Sequence, residues 1–141
     1  MTIVNKTAIT VESTIQAPVE KVWKYWSEPA HIKNWCSASD DWHVPAAEND
    51  LKTGGRFSTT MAAKDGSFSF DFAGVYTAVE ENKLIAYTLD DSREVKITFH
   101  SEGNTTKVVE TFEAEDTNPI EMQRDGWQAI LDNFKKYTEA N

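Results

Sequence analysis

The longest regular pattern of apolar and polar positions runs from Pro119 to Asn141. Trp127, Ile130, Leu131 and Phe134 share one face of a 3.6-residue helix, while Asp125, Gln128, Asp132, Asn133, Lys135 and Lys136 take much of the opposite side. Asn118 followed by Pro119 predicts an N-cap and a first helical position. Glu121 falls in the first turn and Lys135 and Lys136 near the last, as the helix dipole prefers. At ~1.5 Å per residue such a helix is roughly 30 Å long, the width of a small domain. Its apolar stripe must therefore lie along the main core. Gly126 interrupts it at a cost of about 1 kcal/mol, which predicts the close approach of a strand or a ligand.

Upstream the period changes to two. Ile9 to Ile15 alternates Ile9, Val11 and Ile15 against Thr10, Glu12 and Thr14. Ala17-Pro18 ends this strand and opens a helix whose inner face carries Val19, Val22, Trp23 and Trp26. Pro29 breaks it, and a second short helix follows with Ile32 and Trp35 inward. From Cys36 to Leu51 the pattern is weak: Trp42 to Val44 reads as a short strand ended by Pro45. After a Thr53-Gly54-Gly55 turn, Arg56 to Ala63 sets Phe57, Thr59 and Met61 on one face. Asp65-Gly66 marks a two-residue hairpin. Phe68 to Val79 then sets Phe68, Phe70, Phe72, Gly74 and Tyr76 on one face. Leu84 to Leu89, Glu94 to His100 and Lys107 to Glu115 are the remaining strands. The last of these puts Val108, Phe112 and Ala114 together, and His100 falls on an outer face.

One strand, two short helices, about six strands and one long helix make an α+β domain with helices on one side of an antiparallel meander. The 141 residues form one domain, 1–141, able to bury roughly two-thirds of its unfolded surface without a disulfide or metal staple. The net charge of −9 argues against nucleic acid and anionic lipid as partners. A single cysteine, Cys36, excludes an internal disulfide and a cysteine-rich zinc site. The chain shows no signal sequence and no run long enough to span a membrane, so a cytoplasmic location is expected. Four of the five tryptophans fall within residues 23–42, which makes that segment disproportionately aromatic.

The order of elements resembles the helix-grip fold of the START-like superfamily, also called SRPBCC. Within it the chain is similar to the family of the activator of the 90-kDa heat-shock protein ATPase. The stretches that carry the resemblance are APVEKVWKYWSEPAHIKNW, GGRFSTTMAAKDGSFSFDFAGVYTAVEENKLIAYTL and GWQAILDNFKKY, and together it covers about residues 8–139. None of these is a catalytic motif. Many relatives carry Trp-Trp and a Gly-Pro pair after the second helix, where this chain has Trp35-Cys36-Ser37-Ala38-Ser39-Asp40-Asp41-Trp42-His43. That segment tends to form the cavity mouth in the family, so ligand specificity does not carry over. The resemblance implies a curved sheet of about six or seven strands around the long helix, with a cavity between the two layers.

Phe57, Met61, Phe68, Phe70, Phe72 and Tyr76 share a surface facing Trp127 on the helix, with Trp35 and Trp42 placed to close one end. An ordinary core and the wall of an apolar pocket both fit this set. The resemblance favours a pocket for a small hydrophobic or amphipathic molecule. His43, between Trp42 and Val44 and close after Asp40 and Asp41, is the histidine nearest the expected mouth. The candidate ligand-binding residues are therefore Trp35, Trp42, His43, Phe57, Met61, Phe70, Phe72, Tyr76 and Trp127, with no catalytic or metal-binding residue and no cofactor expected. The only set to nominate for an enzyme of the polyketide cyclase or hydrolase kind is His43, Asp41 and Tyr76. Cys36 reads as a half-buried thiol, Gly54-Gly55 as a turn, and Asp40 and Asp41 as solvated acids. On an inward face Glu110 or Arg56 would need a partner, and alternation leaves both faces open. Three functions follow: a binding or carrier module for a small hydrophobic or aromatic molecule, a chaperone partner as the family name suggests, or an enzyme. The eukaryotic activators carry an additional N-terminal domain that 141 residues leave no room for. A monomer fits, as does a homodimer through a sheet edge or the tryptophan-rich segment.

Overall fold

A computed structural model describes residues 7–37 and 39–141. The elements in chain order are β1 (Ala8–Ile15), α1 (Val19–Ser27), α2 (Pro29–Trp35), β2 (Trp42–Asn49), β3 (Arg56–Ala63), β4 (Ser69–Glu80), β5 (Leu84–Leu89), β6 (Glu94–Glu102), β7 (Thr105–Glu113) and α3 (Ile120–Ala140). All strands pair antiparallel in one seven-stranded sheet ordered β1-β7-β6-β5-β4-β3-β2. The meander from β2 to β7 connects neighbours in sequence, and β1 closes on β7 across the whole chain. The sheet curls over α3, the helix-grip α+β architecture.

Period-two alternation decides which residues reach the core. On β1, Ile9, Val11 and Ile15 are buried, and on β6 Val95, Ile97 and Phe99. On α3, Leu131 and Phe134 are fully buried. Phe134 meets Trp26 and Trp35 edge-on at 4.8 and 4.9 Å between ring centres. Trp35 donates its indole N–H to the Tyr25 carbonyl at 2.9 Å. The Asn133 amide reaches the Trp35 and Ser37 carbonyls at 3.0 and 3.2 Å. These contacts clamp the two short helices onto α3.

Four local expectations are corrected. Pro45 does not end a strand: β2 runs on to Asn49, and its pairing with β3 shifts register between His43 and Ala46. β2 is an edge strand, where a missing N–H leaves no ladder bond unmade, and a bulge is where proline is tolerated. The helix α3 begins at Ile120 rather than with Asn118 as a cap. The Asn118 side chain instead donates to Glu115 Oε1 at 2.8 Å. Lys135 and Lys136 fall before the last turn, because the helix continues to Ala140. Lys135 bonds the Thr14 carbonyl at 2.7 Å, tying α3 to β1 rather than serving the helix dipole. Gly126 has no strand against it, and a Cβ there would meet nothing within 4 Å. The close approach occurs at Gly74, where a Cβ would collide with the Thr88 carbonyl oxygen of β5 and lie 3.1 Å from Leu89 Cα. Only glycine lets the two strands come that near at this bend.

The two charged positions left open by alternation take opposite faces. Arg56 is exposed and reaches the Asp90 carboxylate at 3.1 Å. Glu110 lies between Val108 and Phe112 on the inner face of β7 and is 5% exposed. Among the described residues no helix is long and apolar enough to cross a membrane.

Candidate functional site

The curled sheet and α3 do not mesh completely, and between them lies a cavity of about 330 Å³. Packed interiors hold few voids larger than a water molecule, so a space this size is a feature of the fold. Aromatic side chains dominate its wall. Trp127 comes from α3 and lies flat on Phe112, with ring centres 3.8 Å apart and planes 9° from parallel. Phe72 meets Trp127 edge-on at 5.8 Å. Phe57 packs against Tyr87 at 4.7 Å and Tyr76 at 5.1 Å. These contacts hold the rings at fixed angles and keep the space between them open.

Seven of the nine residues singled out in the sequence stand at this wall: Trp35, Phe57, Met61, Phe70, Phe72, Tyr76 and Trp127. Trp42 and His43 stand outside it. Trp42 packs edge-on against Phe68 and Phe70, at 6.1 and 6.0 Å, at the tip of the β3–β4 hairpin, where Phe68 precedes β4 and is exposed instead of sharing the surface that faces α3. His43 is exposed on β2. His43 turns outward because it alternates with Val44, which is buried; beyond the register shift between His43 and Ala46, Asn49 lines the cavity. Tyr76 is therefore separated from the other two members of the nominated set, since Asp41 is exposed and absent from the wall as well.

Tyr76, marked by alternation, shares the polar side of the cavity with residues that periodicity alone does not mark. Tyr76 donates its hydroxyl to Asn49 Oδ1, and the Asn49 amide donates to the Ser27 carbonyl at 2.6 Å. This relay ties β4, β2 and the end of α1 together. Burial raises the Tyr76 hydroxyl well above its ordinary range, so it stays a neutral phenol. At the opposite side Gln123 locks the β7–α3 connection. Its Oε1 accepts the Glu115 N–H at 2.9 Å, and its Nε2 donates to the Asn118 carbonyl at 2.7 Å.

Glu110 is different. Its carboxyl makes no hydrogen bond or ion pair among the described residues, although the side chain is buried and forms part of the cavity wall. Burial pushes its pKa from 4.5 to about 8. Two neighbours feel it. Burial first, and the Glu110 charge second, lift the Cys36 thiol to about 12, so Cys36 lines the cavity as a thiol with no thiolate character. The same two causes raise the Tyr87 hydroxyl. The one cation in the wall, Arg93, already donates from Nε to Asp91 at 2.8 Å. Among the described residues no group of three or more His, Cys, Asp or Glu is placed to hold a metal ion.

Comparison with solved structures finds close matches over nearly the full chain. A protein from Cytophaga hutchinsonii is 65% identical, with a TM-score of 0.82 and coverage of 94% of this chain and 92% of its own. The AHSA1-like protein from Aeromonas hydrophila is 47% identical, with a TM-score of 0.89 and coverage of 95% and 93%. A protein from Chromobacterium violaceum at 21% identity shares the fold, with a TM-score of 0.86 over 96% and 99% of the two chains. No protein of curated function matches by sequence. The family model described as "Activator of Hsp90 ATPase homolog 1-like protein" matches residues 16–139, so the chain belongs to that family.

Proposed function

We propose that this chain is a START-like small-molecule-binding domain that takes a hydrophobic or amphipathic ligand between the sheet and α3. The observation that carries the reading is the cavity of about 330 Å³ walled by fixed aromatic rings. Its size is in the range of small-ligand sites, which are mostly apolar with a few placed polar groups. The ligand would lie against Trp127, Phe72 and Phe57, with the Tyr76–Asn49 pair and Glu110 as the polar points. Trp42 would influence entry rather than contact, through Phe70, with His43 beside it on β2. The reading assigns no catalytic step, requires no cofactor, and places the domain in the cytoplasm as a monomer or homodimer.

The test is two-dimensional amide NMR of labelled protein titrated with lipids, flavonoids and polyketide-like aromatics. Shifts clustered on Trp35, Phe57, Phe72, Tyr76 and Trp127 are expected. A dispersed spectrum that no compound perturbs, or shifts confined to the outer sheet face, would overturn the reading. A second reading, partnership with the 90-kDa heat-shock protein, rests on the family description alone. Stimulation of that chaperone's ATPase by the purified domain would support it, and an unchanged rate would end it.

A further inference from the structure

Among the described residues Glu110 is the one buried charged group of the cavity wall, it has no hydrogen-bond or ion-pair partner, and its surroundings say what is missing. A buried polar group ordinarily finds a hydrogen bond, and a buried charge ordinarily finds a counter-charge. Glu110 has neither among the described residues. Its neighbours in the ladder are Val11 on β1 and Ile97 on β6, both buried and apolar. From the other elements Tyr87 of β5 and Cys36 at the end of α2 feel its charge, while Tyr76 of β4 and Arg93 of the β5–β6 turn line the same cavity. α3 presents Gln123, Trp127 and Ile130 to the cavity, none of them charged. None of these supplies a free cation, since Arg93 is held by Asp91.

We infer that the cavity selects ligands carrying one basic nitrogen, an aryl or alkyl amine whose ammonium group pairs with Glu110 while its hydrocarbon part lies between Trp127, Phe72 and Phe57. This rests on the small-molecule reading above and narrows it. Three features agree. The carboxyl is unpartnered and buried. The wall holds two further acids, Glu48 and Glu115, against a single cation, Arg93, that already donates to Asp91. The aromatic faces that enclose the space carry negative quadrupoles, which attract a desolvated cation and give nothing to an anion. At neutral pH the free protein holds Glu110 as the acid. Binding of an ammonium ligand then gives Glu110 carboxylate paired with ammonium, and the carboxyl proton leaves to solvent.

The probes are matched trios of one hydrocarbon with three end groups: tryptamine, tryptophol and indole-3-acetate, with the phenyl and naphthyl equivalents. Isothermal titration is run on the wild type and on Glu110→Gln, which keeps the shape and removes the charge. In any trio that binds, the amine should bind about tenfold or more tightly than the alcohol, the scale of one charge-assisted hydrogen bond. The carboxylate should be weakest. In Glu110→Gln the amine preference should collapse while the alcohol is held as before. An alcohol equal to its amine in the wild type, or an amine preference that survives in Glu110→Gln, would refute the inference and leave the cavity reading standing. Failure of all nine compounds to bind would refute the amine preference, and the amide NMR titration above decides the cavity reading separately. A second measurement needs no variant: calorimetry at pH 7 in two buffers of different ionisation enthalpy. Release of close to one proton with the amine and none with the alcohol is expected, and equal proton release would refute the pairing.

Discussion

The stability of the unliganded protein should fall as the pH rises, because of one residue. Glu110 titrates at about 8 in the native state against an ordinary value of 4.5, and burial is the cause. The unfolded chain gives up this proton near pH 4.5, while the native state keeps it until about pH 8. Between those values the unfolded state binds fewer protons, so each rising pH step favours unfolding by about 1.36 kcal/mol. Over the whole window the native state loses about 5 kcal/mol. Typical domains have only about 5–15 kcal/mol in total. Below the unfolded value both states hold the proton and the penalty vanishes. Glu110→Gln has no proton to lose, and its amide fills the same space. Urea unfolding of both proteins from pH 4.5 to 9 reads the effect as a difference of free energies, which cancels every other titrating group. The difference in favour of Glu110→Gln should be small at pH 4.5 and grow to several kcal/mol by pH 8. A difference that stays flat across the window would refute the burial argument, and one that shrinks would mean that Glu110 is paired in solution.

Three further outcomes follow from the packing. Gly126→Ala should raise stability by up to about 1 kcal/mol, because the added methyl meets open space and the helix loses its weakest former; thermal unfolding measures it. Gly74→Ala should cost about 2 kcal/mol or more, since its methyl collides with the Thr88 carbonyl of a paired strand, and denaturant unfolding should show a lower midpoint. Thr138→Val should leave stability unchanged or raise it by about 1 kcal/mol, because the Thr138 hydroxyl is buried without a partner and valine keeps the shape; a loss above 1 kcal/mol would mean the hydroxyl is bonded.

Much of the cavity wall was legible from alternation. Phe57 and Met61 on β3, and Phe70, Phe72 and Tyr76 on β4, share a face because strand side chains repeat every second residue, and that regularity is local. Trp127 joins them because helical spacing puts it with Ile130 and Phe134. His43 and Trp42 missed the wall: His43 alternates with the buried Val44 and faces out, and Trp42 packs on Phe68 and Phe70 at the β3–β4 tip. Asn49 and Gln123 carried no signal: each acts through partners 27 or fewer positions away, and only folding brings those partners together.

The chain's own residues determined most of the elements, the faces of the strands, a hairpin at Asp65-Gly66 and the long helix, since each follows from spacing, propensity or turn chemistry within a few residues; the hairpin turns over residues 64–67 rather than over two residues. Tertiary structure decided the fate of Glu110. On β7 the buried residues Thr106, Val108 and Phe112 face the core, and β7 is paired on both sides by β1 and β6. A slip of one residue would expose all three, so the register imposed by those neighbours carries the carboxyl inward whatever its own preference for water. The cavity that receives it was equally beyond the local pattern, because it exists only where a curled sheet and a straight helix fail to touch.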